Sequence, residues 1–433
     1  MNLPKSQQMH QHEVSPQSRR MFVQIAAAGI TFQGGSAAVD SATIMSALVH
    51  QLTGSPIAVG AVTAVLRFGW LFPQLFVGFL AQRGGSSMKY YVVGAFGRAC
   101  CIALLSAVLL LGSDWSPIVL SIAVMSLWTA YAFISGIVAV PYNDIVARSV
   151  PSEQRSRLLA TRFFGGGVLA LLIAAIADRL VGALAFPVSY AAILGMASIL
   201  MCISSGVFTV MGEPTSKRAS VTKPTFFQYL HEGWSVFQTN KRFRLFVYAQ
   251  WCGGAVLMAM PFYVVQANVV GFDLERVALL LAAQTVGALS SNVLWGWWGD
   301  RLGKVSLLRA IACGRIIPPA AVILLASTTI LPGETMLYTF GVVFFVLGGL
   351  ANGLTIAVIG FLMEISPDDR RPAYSGYFNA ITAPAFILPL LAGVLASMFG
   401  LLTVFAISMV AALLQSTILL QIDVSDGPVI SQR

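Results

Sequence analysis

Apolar runs long enough to cross a bilayer recur twelve times along this chain, and that feature removes most folds from consideration. A hydrocarbon core about 30 Å thick needs roughly 20 residues of helix, since each residue advances about 1.5 Å. The first run extends from Met21 to Leu48 and the last from Leu401 to Ile422. The expected fold is therefore an all-α integral membrane protein with twelve transmembrane helices. Composition agrees, because 57% of the 433 residues are hydrophobic and 10% are charged. No soluble domain hides that much apolar surface in one core.

The net charge of +9 does not point to nucleic acid, because the Lys and Arg residues are spread among short connections instead of forming one face. Basic residues in short loops stay on the cytoplasmic side. One set of connections holds Arg83 and Lys89; Arg148, Arg155, Arg157 and Arg162; Lys217 through Arg244; Arg301, Lys304 and Arg309; and Arg370 and Arg371. The opposite set holds only Arg179 and Arg276. Both termini are thus expected in the cytoplasm, in a multi-pass protein of the inner or plasma membrane.

The longest connection divides the spans six and six. The expected layout is a cytoplasmic tail over residues 1–20, a six-helix bundle over 21–211, a cytoplasmic linker over 212–242, a second bundle over 243–422 and a tail over 423–433. Within the linker, Phe226, Phe227, Leu230, Trp234 and Phe237 fall on one face of a helix, which suits the inner leaflet. The five cysteines lie in apolar runs without C-x-x-C spacing or a nearby His, so no metal site and no cofactor is expected.

The two halves repeat each other. Gly78 to Gly85 (GFLAQRGG) aligns with Gly296 to Gly303 (GWWGDRLG), Gly97-Arg98 with Gly314-Arg315, and Pro151 to Arg155 with Pro367 to Arg371. These residues resemble the major facilitator superfamily, whose mark is G-x-x-x-D-R-x-G-R/K between the second and third spans of a half. Gly296, Asp300, Arg301, Gly303 and Lys304 match it, and the first copy keeps Gly78, Arg83 and Gly85 with Gln82 in place of Asp. The resemblance implies two pseudo-symmetric bundles and a latch on the cytoplasmic side. In that latch Asp300 would face the helix start near Ala373, Arg301 would reach Glu364, and Arg83 would reach Asp144.

Ionisable groups at mid-bilayer cost roughly 2.5 to 3.5 kcal/mol on insertion scales, so each needs a reason. Arg98 and Arg315 are expected to snorkel toward the cytoplasmic face as structural residues. Asp40 and Arg67 lie at similar depth on consecutive spans and are expected to form a switchable pair serving substrate binding or proton coupling. Polar and aromatic cavity candidates are Gln33, Trp128, Tyr131, Gln250, Trp251, Gln284, Asn352 and Asn379.

The resemblance implies a secondary transporter that moves a small solute by alternating access, with protons as the expected coupling ion. A membrane enzyme would need a catalytic constellation such as H-E-x-x-H or G-x-S-x-G, and a channel would expect a repeated filter or charged ring; neither is visible. The expected partners are the lipid bilayer, a small-molecule substrate and protons, with no nucleic acid and a monomeric chain. Multidrug or metabolite export and uptake by symport both stay open.

Overall fold

The computed structural model describes residues 16–41, 44–54, 56–82, 86–214, 225–272, 274–327 and 333–422. In the first half, α1 (Pro16–Ala37) and α2 (Ile44–Thr53) make the first pass, followed by α3 (Pro56–Gln82), α4 (Ser87–Leu111), α5 (Pro117–Ser149), α6 (Ser152–Ala183) and α7 (Val188–Val210). The linker helix is α8 (Phe226–Thr239). The second half has α9 (Lys241–Leu257) with α10 (Met260–Val269), α11 (Leu274–Arg301), α12 (Lys304–Gly314) with α13 (Ile317–Ser327), and α14 (Gly333–Ile365). It closes with α15 (Arg371–Thr382), a 3-10 turn (Ala383–Ile387), α16 (Leu388–Phe399) and α17 (Leu401–Leu420). The chain thus makes twelve passes in two six-pass bundles.

Ten segments among the described residues are long and apolar enough to cross a membrane as they stand. The first and eleventh passes are the exceptions, and each is interrupted. The first was expected to run unbroken from Met21 to Leu48, but its helix ends at Ala37 and residues 38–41 turn before α2 begins. In the eleventh, Pro384 has no N–H to donate, and the chain tightens into a 3-10 turn before α16.

Each bundle has a buried interior, and one cluster also joins the halves through Phe79, Leu159 and Ala160. Met45, Ile102, Trp128, Leu194 and Met201 are wholly buried in the first, and Phe246, Leu307, Ile311, Phe340 and Phe405 in the second. The outward faces carry large exposed apolar side chains such as Leu111, Ile118, Ile199 and Val293. That belt would drive a soluble protein to aggregate and suits hydrocarbon. The halves meet along two seams, α6 against α11 and α3 against α15.

The linker helix begins with a capping box, in which Thr225 and Gln228 satisfy each other's free amides. It does not present one apolar face to a single partner. Tyr229 and Gly233 are buried against the protein and Phe226 packs on Phe76 and Phe79, while Phe227, Leu230 and Trp234 are exposed.

Candidate functional site

The residues of the G-x-x-x-D-R-x-G-K motif close the α6–α11 seam at the end of the molecule that carries most of the basic loops. Gly296 lets the helices touch, because a Cβ there would lie 2.8 Å from Ala160 Cβ. Gly303 adopts φ +88°, a left-handed conformation that other residues avoid, and this turns the chain from α11 into α12. The two oxygens of Asp300 then accept the backbone amides of Ser156 and Arg157, each at 2.8 Å, near the start of α6. Lys304 is buried, and its ammonium donates to Asp300 at 2.9 Å, to the Ser152 carbonyl at 2.8 Å and to the Gly299 carbonyl at 2.7 Å. The carboxylate meets the positive end of α6, and the ammonium neutralises the carboxylate.

Two expectations about this motif are corrected. Asp300 binds the fifth pass of the first half, not the helix start near Ala373, because α11 packs across the seam on α6 while Ala373 belongs to α15, which packs on α3. Arg301 and Glu364 are both exposed, and no ion pair joins them. Arg301 stands at the exposed end of α11, next to the buried pair and not part of it.

The α3–α15 seam closes differently. A Cβ at Gly78 would lie 3.0 Å from the Pro372 carbonyl oxygen and 3.2 Å from Gly376 Cα, so the two backbones are in contact. The Tyr229 hydroxyl from α8 fills the remaining gap, 2.6 Å from where a Gly78 Cβ would be. Burial pushes the Tyr229 phenol up, and its oxygen has no hydrogen-bond partner. One turn deeper, Asn379 donates to Gln74, whose own amide donates to the Trp70 carbonyl at 2.7 Å. Sequence reading missed Tyr229 and Gln74; a buried amide in a span was the available signal for Gln74.

Arg83 and Gly85 lie outside the described residues. Asp144, the partner expected for Arg83, accepts from Arg148 at 2.6 Å and from the Ser87 hydroxyl at 2.6 Å. Arg148 also bonds Glu213 at 2.6 Å, and Glu213 accepts the amides of Ser87 at 3.0 Å and Met88 at 3.2 Å at the start of α4. Partial burial pushes the Glu213 carboxyl up, but the Ser86 hydroxyl, Arg148 and the Met88 amide outweigh it and hold the group below its ordinary value.

Farther along α6 and α11 from their seam lies a cavity of about 410 Å³ lined by α1, α6, α11 and α14. Gln33, Gln284 and Asn352 line it with Thr285, Phe163 and Gly167. The other candidates lie elsewhere. Trp128 and Tyr131 stack in the first core, with the Trp128 indole bonded to the Val62 carbonyl at 2.9 Å. Trp251 is exposed and donates to the Ile381 carbonyl at 3.0 Å, Gln250 is half-buried on α9 away from the lining, and Asn379 serves the α3–α15 seam.

Asp40 and Arg67 are not brought together. Asp40 stands exposed in the turn after α1, and no bond links it to Arg67. The break in the first pass puts Asp40 outside any helix. Arg67 is exposed on α3, on the same face as Gln74 and Gly78. Arg98 and Arg315 do not snorkel; both are buried inside their bundles.

The family model described as Major Facilitator Superfamily matches residues 25–382 and 267–428. No curated protein matches the sequence. Among solved structures, a bacterial homologue of the iron transporter ferroportin in an outward-facing state aligns with TM-score 0.71 at 15% identity, covering 92% of this chain and 98% of that one. The proton:xylose symporter XylE bound to 6-bromo-6-deoxy-D-glucose gives 0.67 at 15% identity over 92% and 94%. FucP in the outward conformation gives 0.65 at 13% over 92% and 97%.

Proposed function

The chain belongs to the major facilitator superfamily, and on that premise we propose that it is a secondary carrier that moves a small solute by alternating access, seen here with its basic end shut. The basic end is the cytoplasmic one in this reading. The observation that carries it is the pairing of two closed seams at one end, Asp300 on α6 and Gly78 on Gly376, with a cavity farther along α6 and α11. A charged contact on helix-start amides at one seam and a glycine-backed close approach at the other are contacts that a rocking of the two bundles makes and breaks. Proton coupling through an Asp40–Arg67 pair draws no support from this geometry, in which no ion pair joins the two, and a proton gradient is not part of the proposal.

Spin labels test the reading without a known substrate. In a background with the five native cysteines replaced, one label pair at Arg157 and Arg301 reports the basic end, and a second at Val181 and Leu279 reports the other. Two distance populations that change in opposite senses at the two ends are expected. Ends that open together, or one rigid distance at each, would sink the carrier reading.

A further inference from the structure

The repeat supplies its own control for buried arginines. Arg315 is 7% exposed and is satisfied within its bundle, donating to the Gln415 amide oxygen at 3.0 Å and to the Gly253 carbonyl at 3.1 Å. Its counterpart Arg98 is 5% exposed, yet its Nε has no hydrogen-bond partner and its guanidinium rests on the Phe32 ring at 3.9 Å. A cation–π contact replaces only a fraction of the lost hydration.

A second guanidinium stands nearby. Arg162 donates to the Tyr142 hydroxyl at 3.1 Å and lies over the Tyr142 ring, and its Nε is also unpartnered. The two cations share one face of α1, packing on it one turn apart at Gly29 and Phe32. They sit at matching depth, about 15 Å by helical rise from the basic ends of α4 and α6. Both pack on α1: a Cβ at Gly29 would meet Arg162 Cδ at 2.4 Å, Phe32 lies under Arg98, and the next residue, Gln33, lines the cavity. Phe163, beside Arg162, lines it too.

Among the described residues no carboxylate pairs with these charges. Among the described residues Asp144 is the one buried carboxylate, and it is committed to Arg148 and Ser87 at the basic end. A cationic solute would be repelled here, whereas a planar fork of N–H donors fits an oxyanion.

We propose that Arg98 and Arg162, packed on α1 behind the Gln33 and Phe163 that line the cavity, form the recognition site for a small solute bearing a carboxylate or phosphate group. The solute supplies the negative partner that Arg98 and Arg162 do not have among the described residues, and the second bundle, with Arg315 satisfied, needs none. This deepens the carrier reading and rests on it.

The test is thermal unfolding of the purified protein with inorganic phosphate, acetate, succinate or citrate, against sodium chloride at equal ionic strength and sorbitol as a neutral probe. At least one oxyanion should stabilise saturably. The effect should weaken at least about tenfold in Arg98→Gln and Arg162→Gln and persist in Arg179→Gln, far from the site. Without added anion, Arg98→Gln should melt above the parent, because an uncompensated charge is gone, and Arg315→Gln below it, because hydrogen bonds are lost. Stabilisation by sorbitol alone, by no oxyanion, or undiminished in Arg98→Gln overturns the site. So does an Arg98→Gln protein that melts lower or fails to fold, since that makes the arginine structural. Reciprocal spin-label distances alongside any of these failures would leave the carrier standing with a different substrate.

Discussion

Asp300 accepts the backbone amide of Ser156 at 2.8 Å, a single bond that ties the second bundle to the first across the α6–α11 seam. The Arg157 amide on the other oxygen and the buried ammonium of Lys304 complete the contact. Asp300→Asn keeps one acceptor and strands Lys304 without its counter-charge. The closed basic end should lose about 2 kcal/mol, which is roughly a 30-fold shift in population. Lengthening of the Arg157–Arg301 label distance is the measurement, and an unchanged distribution would show that the contact does not hold the end shut.

The second seam is held by shape. Tyr229→Phe removes a buried hydroxyl that bonds nothing, so the closed end should gain about 1 kcal/mol and the protein should melt higher. Gly78→Ala should do the reverse, because its Cβ would meet the Tyr229 oxygen at 2.6 Å. Combining the two substitutions should recover part of the Gly78→Ala loss. Strict additivity in melting temperature would mean that the tyrosine tip and the glycine do not interact.

Glu213 gives the protein an acid-sensitive joint. Its folded carboxyl lies below the ordinary value, so the joint contributes stability above the unfolded pKa and loses it as pH falls through the folded one. Melting temperature should drop across the acidic carboxylate range, and the drop should be smaller in Glu213→Gln. Equal slopes for both proteins would remove Glu213 from the account.

The cavity amides should matter to binding and little to folding. Gln284→Leu or Asn352→Leu should weaken any ligand found by stabilisation screening by about tenfold, while the unliganded melting temperature moves little. The same substitution at Trp128, whose indole bonds Val62 in the core, should destabilise the empty protein by about 3 kcal/mol or more. Binding loss from Trp128→Leu without destabilisation would reverse that assignment.

Much of this was legible in the sequence. Run length dictated helices, because hydrocarbon leaves backbone groups no other partner. The repeat and the motif gave the two halves, and each motif residue has a local reason: Gly303 for its positive φ, Gly296 for close approach, Asp300 for a helix start. Tertiary structure decided which helix start. Spacing cannot tell α6 from α15, since both begin after repeated loops, and only the packing of α11 on α6 selects Ser156 over the stretch near Ala373. It also broke the first pass after Ala37 and left Asp40 exposed in a turn, which run length alone does not show. Finally, it distinguished Arg98 from Arg315, identical in the sequence repeat, by giving one a glutamine from α17 and the other only an aromatic ring.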